Sequence, residues 1–123
     1  MIFSERIMRL FFPLFILAIP QCAIAASPAC SGVNSWASNM AFVHLKNAGL
    51  LSNETTVFSK TKIVRLASEK IGKDIFRQVH QVFFTEKSGN IIEVITVNDA
   101  SHEECSLSGV DVFVVSKHIG DKM

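Results

Sequence analysis

The segment from Ile75 to Val97 constrains the fold more than any other part of this chain. Ile75, Phe76, Val79, Val82, Phe83 and Phe84 precede Glu86-Lys87-Ser88-Gly89-Asn90, and Ile91, Ile92, Val94, Ile95 and Val97 follow it. β-Branched and aromatic residues at that density fit a pleated surface better than a helix. Gly89 stands where a tight reversal needs positive φ, and its charged and polar neighbours suit a tip in water. The segment therefore reads as a long β-hairpin turning at Ser88-Gly89. With Lys87 paired to Asn90, Thr85 faces Ile92, Phe83 faces Val94 and Gln81 faces Thr96. Phe84, Val82, Ile91, Ile95 and Val97 then share the opposite face with Glu93 and His80.

The first 25 residues have the layout of a secretory signal peptide. Arg6 and Arg9 precede an apolar run from Leu10 to Ile19, and Ala23-Ile24-Ala25 supplies a small-residue cleavage signal, which places the cut before Ala26. The run is short for a bilayer span and is interrupted by Pro13 and followed by Pro20. Cys22 lacks the small residues in front of it that mark a lipidated cysteine. The expected mature chain is one domain, residues 26–123, exported to the periplasm or secreted.

Charge narrows the choice of partner. The chain has 12 basic and 11 acidic residues, and loss of Arg6, Arg9 and Glu5 leaves the mature part formally neutral. There is no basic excess to condense on phosphate, so nucleic acid is not an expected partner, and there is no polybasic cluster for a lipid surface.

The mature part keeps Cys30 and Cys105, and in an oxidising compartment a single disulfide joins them. In the chain-entropy view, closing a loop of about 75 residues stabilises by about 4 to 5 kcal/mol. So small a domain gains much from such a brace.

Before the hairpin, Asn34 to Ala48 reads as an amphipathic helix, with Asn34 or Ser35 capping its start and Gly49 its end. Helical spacing gathers Trp36, Ala37, Met40, Ala41, Val43 and Ala48 on one face, with Ser35, Ser38, Asn39 and Lys46 opposite. His44 projects from the apolar side and Phe42 from near the polar side. Thr61 to Ser68 has strand character, although Leu66, Ala67, Glu69 and Lys70 are also good helix formers. Val110 to Ile119 is a last strand, with Val110, Val112 and Val114 alternating against Asp111 and Phe113. The expected fold is α+β: one N-terminal helix packed on a four-stranded antiparallel meander sheet, braced by one disulfide. That arrangement is similar to the cystatin-like architecture and to some disulfide-braced bacterial immunity proteins. The cystatin hairpin pattern Gln-x-Val-x-Gly is not matched by Gln78-Val79-His80-Gln81-Val82, so the resemblance carries no residue roles.

One helix covers one face of a sheet. On the other, Val79, Phe83, Ile92 and Val94 form an apolar strip, the expected binding surface for a protein partner or a second copy of the chain. Catalytic patterns are missing from the sequence. His44, His80, His102 and His118 are scattered, and there is no H-E-x-x-H, no G-x-S-x-G and no glycine-rich phosphate loop. No residue pattern asks for a cofactor. The alternative is a metal-dependent enzyme or metal-binding protein using the loop from Asp99 to Glu104, where Asp99, His102, Glu103 and Glu104 lie close in sequence. The reading that follows is an exported protein that binds a macromolecular partner as an inhibitor, immunity or accessory factor.

Overall fold

The computed structural model describes residues 26–116 and Ile119; the expected signal peptide, residues 1–25, and His118 lie outside the described residues. Helix α1 (Trp36–Asn47) comes first, then a 3-10 turn (Phe58–Lys60) and four strands: β1 (Lys62–Gly72), β2 (Ile75–Thr85), β3 (Ile91–Ala100) and β4 (Asp111–Val114). The strands pair in chain order, each antiparallel to the next. This is the α+β meander with a helix on one side.

The helix is capped at both ends by local chemistry. The Ser35 hydroxyl accepts from the Ser38 amide at its start. At its end Gly49 takes φ 76°, and the Leu50 and Gly49 amides donate to the Leu45 and Lys46 carbonyls at 2.9 and 3.0 Å. That is a Schellman closure, which needs a residue tolerant of positive φ. The buried positions are Ala37, Ser38, Ala41 and Leu45. The contact face is thus turned relative to the expected one: Val43 and Ala48 are exposed, Ser38 is buried and Phe42 packs on the core. Two alanines let the helix lie close to the sheet, and Phe42 reaches across to Phe84 with ring centroids 6.1 Å apart.

β1 is a strand through its whole length, because it pairs with β2 from Lys62↔Phe83 to Gly72↔Ile75. Long-range pairing overrides the helical preference of Leu66 to Lys70. β4 is shorter than expected, Asp111–Val114, and Val110 is buried just before it.

The hairpin register differs from the expected one by one residue. Glu86, not Lys87, closes the turn: its amide donates to the Asn90 carbonyl at 2.8 Å, and the Gly89 amide donates to the Glu86 carbonyl at 2.8 Å. The loop therefore has three residues, Lys87-Ser88-Gly89, with Gly89 at φ 90°. The pairs become Thr85↔Ile91, Phe84↔Ile92, Phe83↔Glu93, Val82↔Val94 and His80↔Thr96. A one-residue shift sends every side chain of β3 to the other face. Val94 is fully buried in the core with Ala41, Leu45, Leu51, Val82 and Phe84, and Ile92 packs against that cluster. Ile91, Glu93, Ile95 and Val97 go to the helix-free side.

Cys30 and Cys105 are joined, with their Cα atoms 5.6 Å apart. The bridge ties the N-terminal arm to the loop between β3 and β4. Three substitutions test the register. Phe84→Ala should cost about 3 to 5 kcal/mol in urea unfolding, and Val94→Asp should abolish the cooperative transition. Phe83→Asp should leave it within about 1 kcal/mol. A Val94→Asp chain as stable as the Phe83→Asp chain would restore the two-residue turn.

Candidate functional site

Residues directly opposite in an antiparallel ladder share a face, so the pairings define the helix-free surface row by row. Its central row runs Val64, Gln81, Ile95, Phe113 across the four strands. On one side lie Lys62, Phe83 and Glu93; on the other, Ala67, Val79, Val97 and Asp111. Phe113 is 58% and Val64 50% exposed, while Phe83, Val79, Ile95 and Val97 are half-buried by their neighbours. Of the four expected site residues, Phe83 and Val79 lie on this face. Ile92 and Val94 do not, because the longer turn moves them under the helix.

Polar groups stand at the edge of this face and in its central row. The Arg77 guanidinium grips the Asp99 carboxylate through Nε and Nη2 at 3.0 and 3.3 Å, and Gln81 donates to Glu93. The face thus mixes exposed apolar side chains with paired polar ones.

The loop after β3 holds its polar side chains apart. Asp99 is committed to Arg77, and Glu104 accepts from the Ser106 hydroxyl at 2.8 Å. His102 turns to Asp74 and to the Ala26 carbonyl. Among the described residues no three His, Cys, Asp or Glu side chains converge as a metal cluster would require. His44, expected at the apolar side of the helix, is exposed.

Sequence reasoning missed a polar interior beneath the arm. Gln78 and His80 on β2 and Thr96 and Asn98 on β3 form two adjacent cross-strand pairs on the helix side, all buried. Gln78 Nε2 donates to the Pro28 carbonyl at 3.0 Å, and Arg65 Nη1 donates to the same oxygen at 3.0 Å. His80 Nε2 meets the Ser31 hydroxyl at 2.8 Å. Burial, with a smaller contribution from the Arg65 charge, pushes the His80 imidazole below its ordinary value, so it is neutral at pH 7. A serine beside a neutral imidazole resembles a nucleophile and base, yet among the described residues no carboxylate or other group hydrogen-bonds His80 Nδ1 to orient it. The contact is an anchor for the arm. The signal was present in the alternation of Gln78 and His80 with Val79, but not its partner, 49 residues away.

Comparisons with family models, with characterised proteins and with solved structures gave no match.

His102 generates a pH prediction. Its two ring nitrogens face two acceptors, the Asp74 carboxylate and the Ala26 carbonyl, which only an imidazolium satisfies together. The Asp74 hydrogen bond, chiefly, raises the His102 pKa, and the same bond lowers that of Asp74. For the histidine, the stabilisation is complete below its ordinary 6.5 and is lost as pH rises through the raised folded value. For the aspartate, it is complete above 3.8 and lost as pH falls through the lowered value. The clamp on the arm is thus strongest between 3.8 and 6.5. In an NMR titration His102 should have a midpoint above 6.5, with the arm amides near Ala26 shifting in step. A midpoint at or below the ordinary value would show that no clamp forms.

Proposed function

We propose that the protein is exported, to the periplasm or beyond, and acts by binding a protein partner through the helix-free sheet face, as an inhibitor, immunity or accessory factor. The observation that carries this reading is the row Val64, Gln81, Ile95 and Phe113, flanked by Phe83, Val79 and Val97 and lying on the side away from α1. Monomeric domains rarely leave a contiguous apolar sheet surface to water. Phe83 and Phe113 are the aromatic side chains in the patch, and aromatics carry a disproportionate share of interface energy. The disulfide fits an oxidising compartment. No helix of the described residues is long and apolar enough to cross a membrane.

Export is tested by the N-terminal sequence of the protein recovered from the envelope fraction, which should begin at Ala26. Binding is tested with the disulfide-intact chain as bait in that fraction and, for self-association, by sedimentation. Phe83→Asp and Phe113→Asp should each lower partner recovery, or dimer affinity, by tenfold or more, since loss of about 1.4 kcal/mol is one decade. Lys46→Glu, on the helix side, should change neither. A wild-type chain that stays monomeric and retains nothing, or association unaffected by both aspartates, would refute the proposal.

A further inference from the structure

At the hairpin-tip end of the helix-free face the sheet carries a cavity of about 280 Å³. Its lining is short: Lys60, Lys62, Phe83, Thr85 and Ile91. The ladder places four of them side by side, since Lys62 pairs with Phe83 and Thr85 with Ile91. The turn at Phe58 brings in the fifth. The Val57 amide donates to the Thr85 carbonyl at 2.8 Å and the Lys60 amide to the Val57 carbonyl at 3.1 Å, so backbone bonds hold Lys60 beside the end of β2.

Two features define what this space takes. The first is charge of a single sign. Both lysines are exposed, and the carboxylates near them are engaged by other groups. Glu93, on the far side of Phe83, accepts from Gln81, and Glu86 accepts from Asn90 Nδ2 at 2.8 Å. Among the described residues neither lysine has a carboxylate within ion-pair distance. The second feature is the floor. Phe83 is half-buried and Ile91 59% exposed, so both can be covered from solvent, and the half-buried Thr85 adds a hydroxyl. Two ammonium groups select an anion and repel a cation, and the apolar floor favours an anion with an apolar body over a bare one. The volume lies at the small end of ligand pockets, enough for a single ring or a short chain.

The geometry points to a binding site for a small organic anion, of which an apolar monocarboxylate is the simplest form. Its charged group meets Lys60 and Lys62, and its ring or chain covers Phe83 and Ile91. The site shares Phe83 with the surface proposed for a protein partner but does not rest on that reading, because the chain alone carries all five lining residues.

The test follows the disulfide-intact chain by NMR at about 20 mM salt with three probes: phenylacetate, phenylacetamide as its neutral counterpart of equal shape, and acetate as the anion without the apolar body. Phenylacetate should give saturable shifts centred on Lys60, Lys62, Phe83, Thr85 and Ile91, and the other two should bind about tenfold more weakly or less. Lys60→Gln and Lys62→Gln, both at exposed positions, should each weaken phenylacetate by about threefold, and together should reduce it to the level of phenylacetamide. Phenylacetamide itself should be unchanged by either. Lys70→Gln, at the other end of β1, should alter no probe. Raising salt to about 200 mM should weaken phenylacetate and spare the amide. Absence of saturable phenylacetate shifts overturns the inference. So does phenylacetamide or acetate binding as tightly, or phenylacetate affinity that survives the loss of both lysines. None of these results bears on partner binding, which Phe113→Asp reads at the opposite edge of the face.

Discussion

The backbone pair between Glu86 and Asn90 closes a loop of three residues, and both faces of the sheet follow from that count. Side chains alternate along a strand with a period of two, so the parity of the loop decides which half of β3 meets the helix. With three loop residues, Ile92 and Val94 join Val82 and Phe84 beneath Leu45 and Ala41. With two, Glu93 would lie beside Phe84 in the core, and a carboxylate buried there without a cation is far costlier than any turn preference. Gly89 at φ 90° accepts the local geometry, and the burial of Val94 rewards it. Turn chemistry and core packing therefore agree, as they must in a chain with a single native state.

The interior divides by the kind of backbone that covers it. Under α1 the core is apolar, because a helix satisfies its own amides and carbonyls and asks nothing of the sheet. Under the arm and the loop after β3 the cover is irregular chain, whose carbonyls need donors. There the sheet presents Gln78 and Asn98: Gln78 donates to the Pro28 carbonyl, and Asn98 Nδ2 donates to the Cys105 carbonyl at 3.3 Å. Arg65 adds a second donor to Pro28. The disulfide clamps these same two irregular segments, since Cys30 follows the arm's Pro28 and Cys105 carries the carbonyl that Asn98 holds. Covalent brace and buried polar side chains thus do one job, holding down cover that has little apolar area of its own.

Much of the architecture was legible in local chemistry. Ser35 and Gly49 mark the helix ends, the alternation on β2 places Phe83 and Val79 opposite Phe84 and Val82, and with Cys22 expected to leave with the leader, Cys30 and Cys105 have one way to pair. The illegible parts rest on choices that local sequence leaves open. A glycine at position 89 suits a two-residue or a three-residue loop, and only the burial of Val94 against Glu93 separates them. The helix has small residues on both of its sides, so its contact face is decided by what Phe42 and Leu45 meet on the sheet. Of the residues expected on the helix-free face, Phe83 and Val79 therefore lie there. The place of Ile95, Val97 and Phe113 beside them follows once the register and the β3–β4 pairing are known. Contacts such as Ser31 with His80 join segments far apart in the chain and leave no periodic trace.

The edges of the sheet bear on how a partner can approach. β1 is an outer strand of eleven residues, long enough to recruit another strand by backbone pairing. It is interrupted by irregularities between Arg65 and Ala67 and between Lys70 and Gly72, and it carries Lys62, Arg65, Glu69 and Lys70. Bulges twist an edge away from flat pairing and charges make it a poor template. The opposite edge, β4, has only four residues. Both edges resist strand addition, whereas the face between them is mostly apolar. Under the proposed function, a partner would gain most by packing side chains against Phe83, Ile95 and Phe113, with the charges of Lys62, Glu93 and Asp111 around them setting its orientation. Face-on packing between β layers, with little backbone exchange, is the mode of association that this distribution of bulges, charge and exposed aromatic surface favours.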